Sequence, residues 1–219
     1  DALTTLDVPS LTSTGGRSFY WSFYVWFNVA LTTLDVPRLT YTGSNIWVYN
    51  NTALTNLDVP QLNSTVGGFH VYDNDALTNL DVPQLFSTGK GLDVSNNGAL
   101  THLSLPQLDT TGIYFNVYNN TALAKLDVPR LTSTGGFFGV RYSGALTNLD
   151  VPQLNSIGGS FVVYNNDALT NLDVPTGKSF WVRNNDALTN LDVPSLTSTG
   201  LSFYVRHNDA LTTLDQLNS

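Results

Sequence analysis

Glutamate, cysteine and methionine are all missing from these 219 residues. Without cysteine there is no disulfide and no thiolate, and a cysteine-free chain is compatible with either redox compartment. Without glutamate, all 17 acidic residues are aspartate. Glutamate favours helices, whereas aspartate and asparagine suit turns and corners, so the chain has been emptied of helix formers. Charged residues make up only 12%, about half the usual share. The nine basic residues are dispersed and the net charge is −8. Nucleic acid is therefore not an expected partner, because phosphate binding needs clustered Lys and Arg. No apolar run reaches the roughly 18 residues that a membrane span requires.

What the chain does have is repetition. Nine prolines all occupy one place in the sentence Ala-Leu-Thr-x-Leu-Asp-Val-Pro-x-Leu. A Ser/Thr/Gly stretch and then Phe-x-Val-Tyr-Asn-Asn-Asp complete each copy. The opening alanine stands at 2, 30, 53, 76, 99, 122, 145, 168, 187 and 210, and seven of the nine spacings are 23 residues. A fixed period of this size is the signature of a solenoid. The expectation is one all-β body over 1–219, a parallel β-solenoid of about nine and a half coils and about 45 Å in length. Its irregular parts are the first coil, 2–29, the short coil, 168–186, and the half coil, 210–219. The short coil lacks one segment after Pro175 and should pinch a corner there.

The copy from Ala53 to Asp75 shows how a coil would fold. Leu54, Leu57 and Val59 are spaced i, i+3, i+5, which resembles the core of leucine-rich repeats. Leu57-Asp58-Val59 alternates in, out, in, as a short strand should. Pro60 has no N–H for a ladder and belongs at a corner. Leu62 turns inward, Thr65 to Gly68 read as a second turn, and Phe69 and Val71 point in from a second, longer strand. His70 and Tyr72 point outward by the same alternation. Six apolar side chains per coil cannot offset the ordering entropy of a lone coil, but stacked coils cover one another. Two residues before each alanine stands an asparagine, from Asn28 to Asn208, replaced only at Ser143. Such a column predicts an amide ladder that also satisfies turn backbones.

Runs such as Asn165-Asn166-Asp167-Ala168-Leu169-Thr170-Asn171-Leu172-Asp173-Val174-Pro175, with Ser156-Ile157-Gly158-Gly159-Ser160-Phe161-Val162-Val163, resemble receptor L-domain repeats of the microbial and fungal cell-surface variety. The resemblance covers essentially the whole chain. It implies a right-handed parallel β-solenoid, secreted or wall-associated, without enzyme activity. Three departures stand out. Thr replaces the apolar residue at 14, 42, 65, 88, 111, 134 and 199, no capping segment flanks the repeats, and no disulfide-bearing flank is present.

Outward columns are where a solenoid would place a function. Asp58, Asp81, Asp150 and Asp173 belong to a carboxylate column whose repulsion calcium could relieve, although a solvated acidic stripe explains it equally. No other cofactor is implied. Tyr49, Tyr72, Tyr118 and Tyr164 form an aromatic column with Trp26, Arg183 and Arg206, interrupted at Ser95 and Arg141. Exposed tyrosines can stack on sugar faces or pack against a partner, and they also stabilise a sheet internally. Thr12/Thr14, Thr40/Thr42, Thr132/Thr134 and Thr197/Thr199 form T-x-T pairs of the kind an ice-binding face uses. Asn50, Asn63 and Asn119 open N-x-[ST] glycosylation patterns. His70, His102 and His207 occupy different repeat positions, so no enzyme site is expected.

The first coil carries Phe19, Tyr20, Trp21, Phe23, Tyr24 and Trp26 in one aromatic stretch, and Leu217 lies in the last half coil. Aromatic strands at a solenoid end invite pairing with another copy, which need not close and can run on as a filament. The chain begins at the last position of one repeat and stops half-way through another, as a mature chain or a portion of something longer would. The leading expectation is an extracellular or cell-surface rod that assembles with itself, head-to-tail or laterally, into a fibre or surface layer. A glycan- or protein-recognition module using the tyrosine column is the alternative, and ice binding through the threonines is a second one.

Overall fold

Three short parallel strands make each regular coil. The structure is a computed structural model and describes residues 2–15, 22–173, 179–193 and 201–215. Among these residues every regular element is a strand, and no helix is long and apolar enough to cross a membrane. Strands at equivalent repeat positions pair in register, so identical side chains stack along the axis. The long sheet has nine strands, from Phe23–Trp26 to Ser202–Arg206. The middle sheet has seven strands of two residues each, from Ser13–Thr14 to Ser156–Ile157. The short sheet, which holds Asn56–Asp58, is broken into ladders of three, three and four strands.

The all-β parallel solenoid expected from the period is present, with two differences. Ser64–Thr65 is a strand of the middle sheet rather than part of a turn. Seven successive coils show all three strands, fewer than the nine and a half that spacing alone gives. The two coils after them show only the short and long strands. The 19-residue copy lacks the sequence that forms the middle strand elsewhere. In the following copy that sequence lies outside the described residues, as does the corner after Asp173 where a pinch is expected.

The repeat sentence explains each corner. Pro60 sits at the second position of a turn closed by Leu62 N–H donating to Val59 O at 3.1 Å, where its fixed φ suits the turn. The corner after the long strand needs a left-handed residue. Asn50, Asn96, Asn119 and Asn165 take it with φ of 54–55°, as short polar side chains do most readily. The next asparagine turns inward. Asn97 is fully buried, and its Nδ2 donates to Val71 O at 3.0 Å while its Oδ1 accepts from Asn74 N–H at 3.1 Å. The same pair of bonds recurs at Asn51, Asn74, Asn166 and Asn185, so the amide ladder is a structural spine.

Coil six breaks both asparagine positions. Tyr142 holds the left-handed corner at φ 54°, and Ser143 Oγ is buried without a partner. An asparagine at 143 would reach the Val117 carbonyl and accept from Asn120 N–H, as its counterparts do. Ser143→Asn should raise stability by about 1–2 kcal/mol, measured as an increase in urea midpoint at unchanged slope.

Inside, the central coils contribute one recurring apolar set. Leu54, Leu57, Val59, Leu62, Phe69 and Val71 are all buried, as alternation predicts. The phenylalanines stack through the middle, with Phe115–Phe138 ring centres 4.9 Å apart and Phe138–Phe161 5.2 Å apart. Thr42, Thr65, Thr88, Thr111 and Thr134 face this core. Thr65 Oγ1 donates to Gly67 O at 3.0 Å, whereas Thr88 and Thr111 hydroxyls have no partner.

Candidate binding face on the long sheet

Alternation on the long strands sends two rows of side chains outward along the whole stack. One row reads Trp26, Tyr49, Tyr72, Ser95, Tyr118, Arg141, Tyr164, Arg183, Arg206. The other reads Tyr24, Trp47, His70, Asp93, Asn116, Gly139, Val162, Trp181, Tyr204. The strand register fixes these neighbours, because parallel strands stand about 4.8 Å apart.

The first row is a ladder of planar groups. Trp26 and Tyr49 stack with ring centres 5.8 Å apart, and Tyr49 and Tyr72 at 4.8 Å. Beyond Tyr118, guanidinium groups join the rings. Arg141 lies 5.1 Å from the Tyr118 ring centre and Arg183 lies 4.5 Å from that of Tyr164, within cation–π range. Tyr142 folds back from its corner and sets its edge against Tyr118 and Tyr164. Burial, reinforced by Tyr49 and nearby aspartates, pushes the Tyr72 phenol up to about 12. The Tyr72 hydroxyl therefore stays protonated well above neutral pH. All four tyrosines of the expected column, Tyr49, Tyr72, Tyr118 and Tyr164, are placed on it, half-buried.

The second row was not legible as a site. His70 does lie on the outer face, yet it is only 5% exposed. Trp47 stacks on it at 4.0 Å, and its ring lies over Gly68, where a Cβ would come within 2.1 Å of Nε2. Burial, aided by the Lys90 charge, lowers its pKa to about 4. Asp93 follows, half-buried, with its carboxyl raised mainly by burial and moderated by hydrogen bonds from Ser95 and Asn116. Asn116 Nδ2 donates to Asp93 Oδ1 at 3.1 Å, and Arg141 Nη2 donates to Asn116 Oδ1. Tyr114 covers Gly91, where any side chain would strike its ring.

The low pKa of His70 makes stability depend on pH. An unfolded chain takes up the proton near 6.5, the folded one only near 4. Between these values the unfolded state binds more protons, so stability falls as pH drops through the window. The whole effect is about 3 kcal/mol. Urea unfolding at pH 7 and pH 4.5 should show the wild type losing about 2 kcal/mol more than His70→Phe, which keeps the stack on Trp47 without a titrating group.

Other expected sites are placed separately. Phe23 is in the core, Tyr24 is half-buried and Trp26 is exposed, while Phe19, Tyr20, Trp21 and Leu217 lie outside the described residues. Asp58 pairs in register with Asp35, and Asp173 with Asp192, but the ladder breaks between Asp58 and Asp81. Burial and then repulsion from Asp58 and Asp7 raise the Asp35 carboxyl. Among the described residues no cluster of three acids or histidines could hold a metal ion. Thr40 faces solvent while Thr42 is buried, so the T-x-T pairs do not put two hydroxyls on one face; Thr197 and Thr199 lie outside the described residues. Asn63 is exposed, whereas Asn50 and Asn119 are half-buried at left-handed corners. A concavity of about 510 Å³ beside Tyr142 and Gly144 is lined by Asn165, Asp167, Asn184 and Asp186.

No family model, curated protein or solved structure matches this chain.

Proposed function

We propose that the protein is a non-catalytic recognition module that binds glycans across the outer face of its long sheet. The observation that carries this reading is the in-register ladder of Trp26, Tyr49 and Tyr72, continued by Tyr118, Tyr164 and their arginines. Rings stacked in register line the face with a continuous aromatic edge open to solvent, a surface suited to the C–H groups of a sugar chain. The neighbouring row supplies carboxylate and amide groups for hydroxyl recognition. His70, His102 and His207 stand on three different parts of the coil, which supports a role without catalysis. An extracellular or cell-surface location goes with this reading. The likeness of the repeat to receptor L-domains and the exposed acceptor at Asn63 support it.

Replacing Tyr49, Tyr72 and Tyr118 together by alanine should abolish binding to immobilised glycans while the coils remain folded by circular dichroism. Full retention of binding would rule the face out.

A self-assembling rod is the second reading. Trp26, Phe27 and Val29 are 48, 60 and 63% exposed and adjoin one another on the first described coil, an apolar patch of the kind that marks an interaction surface. Sedimentation velocity over a hundredfold concentration range tests it, and a single monomer boundary throughout would exclude it.

A further inference from the structure

We propose that the vacant rung at Ser95 is a subsite for one pyranose ring of a neutral glycan, held between Tyr72 and Tyr118 with Asp93 beside it. The inference rests on the recognition reading above and narrows it to one place.

The outer row has nine rungs, and eight of them carry a planar side chain: a tryptophan, four tyrosines and three arginines. Only Ser95 does not. It pairs in register with Tyr72 on one side and Tyr118 on the other. Two strand steps separate these walls by roughly 9.6 Å. Neighbouring rings of the same ladder stack at 4.8 Å. One ring therefore fits between Tyr72 and Tyr118 at ordinary stacking distance from both. Ser95, only 7% exposed, forms the bottom of this gap.

The base of the slot decides which ring. Ser95 hydrogen-bonds to Asp93, and Asn116 Nδ2 holds Asp93 Oδ1 at 3.1 Å. The carboxylate is thus fixed in place and partly desolvated next to the gap. A phenyl ring inserted there would desolvate it further without offering a donor. A pyranose presents C–H faces to the two tyrosines and hydroxyl donors at its rim, matching walls and carboxylate together. Trp47 lies over His70 in the second row and Tyr114 over Gly91 in the column beyond it, so these neighbouring positions are already covered. Arg141, one strand beyond Tyr118, steadies the far wall.

Ser95→Tyr tests this directly, because it completes the ladder rather than damaging it. Titration calorimetry with the hexasaccharides of β-1,4-glucose, β-1,3-glucose, β-1,4-xylose, β-1,4-mannose and chitin should give binding to at least one. Ser95→Tyr should weaken that binding at least tenfold and leave the thermal midpoint unchanged or higher. Asp93→Asn should weaken it less, and Tyr41→Ala, on the middle sheet and outside the binding face, by no more than twofold. If Ser95→Tyr binds as the wild type does while the triple tyrosine variant loses binding, the slot is wrong and the broader face stands. If the wild type binds none of the five, both fall. If N-acetyltyrosinamide binds at the slot, as judged by loss in Ser95→Tyr, and no hexasaccharide does, the occupant is an aromatic side chain and the glycan assignment is overturned.

Discussion

Replacing Asn97 by alanine is expected to cost about 3–4 kcal/mol. Asn97 has no exposure, and its amide makes two bonds at once to the preceding coil. Nδ2 satisfies Val71 O in the coil below, and Oδ1 satisfies Asn74 N–H. Alanine removes both partners and fills none of the space, so a buried carbonyl and a buried N–H are orphaned together. Each such orphan costs about 1–3 kcal/mol. The same change at Asn28, half-buried on the first described coil, should cost less than half as much. Equilibrium urea unfolding of the two variants checks the ratio. Equal small losses at both sites would mean that the ladder follows the fold rather than supporting it.

Phe138→Ala is expected to cost a comparable 3–5 kcal/mol, for a different reason. Phe138 is fully buried and stacks between Phe115 and Phe161 with ring planes 5° and 6° from parallel. A parallel stack cannot close over a missing ring, because each coil is held at its spacing by three sets of backbone bonds. The cavity therefore persists, and persistent cavities give the largest losses. Phe203, only half-buried, provides the internal comparison. Phe203→Ala should cost clearly less, since solvent already reaches that ring. Thermal unfolding of both variants, read at matched concentration, would separate them.

The period makes the solenoid legible, and the alternation around Leu57 and Phe69 identifies the inward residues. The middle strand was not legible. Ser64–Thr65 spans two residues, too short for alternation to register, and serine and threonine beside glycines read as a turn. The threonines at core positions fit because Thr42, Thr65 and Thr134 bond a carbonyl two residues on. His70 shows the limit of alternation. It gives the face of the strand correctly, but burial on that face comes from Trp47 in the preceding coil, and only the register brings the two together. The break in the tyrosine column at Ser95 was visible as a substitution. Its meaning as a gap one ring wide needed the strand spacing and the fixed Asp93 beside it.

Hydroxyl-radical footprinting of the tyrosines during titration with the tightest-binding hexasaccharide tests the binding face most directly. The expected result is protection of Tyr72 and Tyr118, strongest at these two, with Tyr41 on the middle sheet unchanged. Protection at Tyr41 with Tyr72 and Tyr118 as reactive as in the free protein would contradict it.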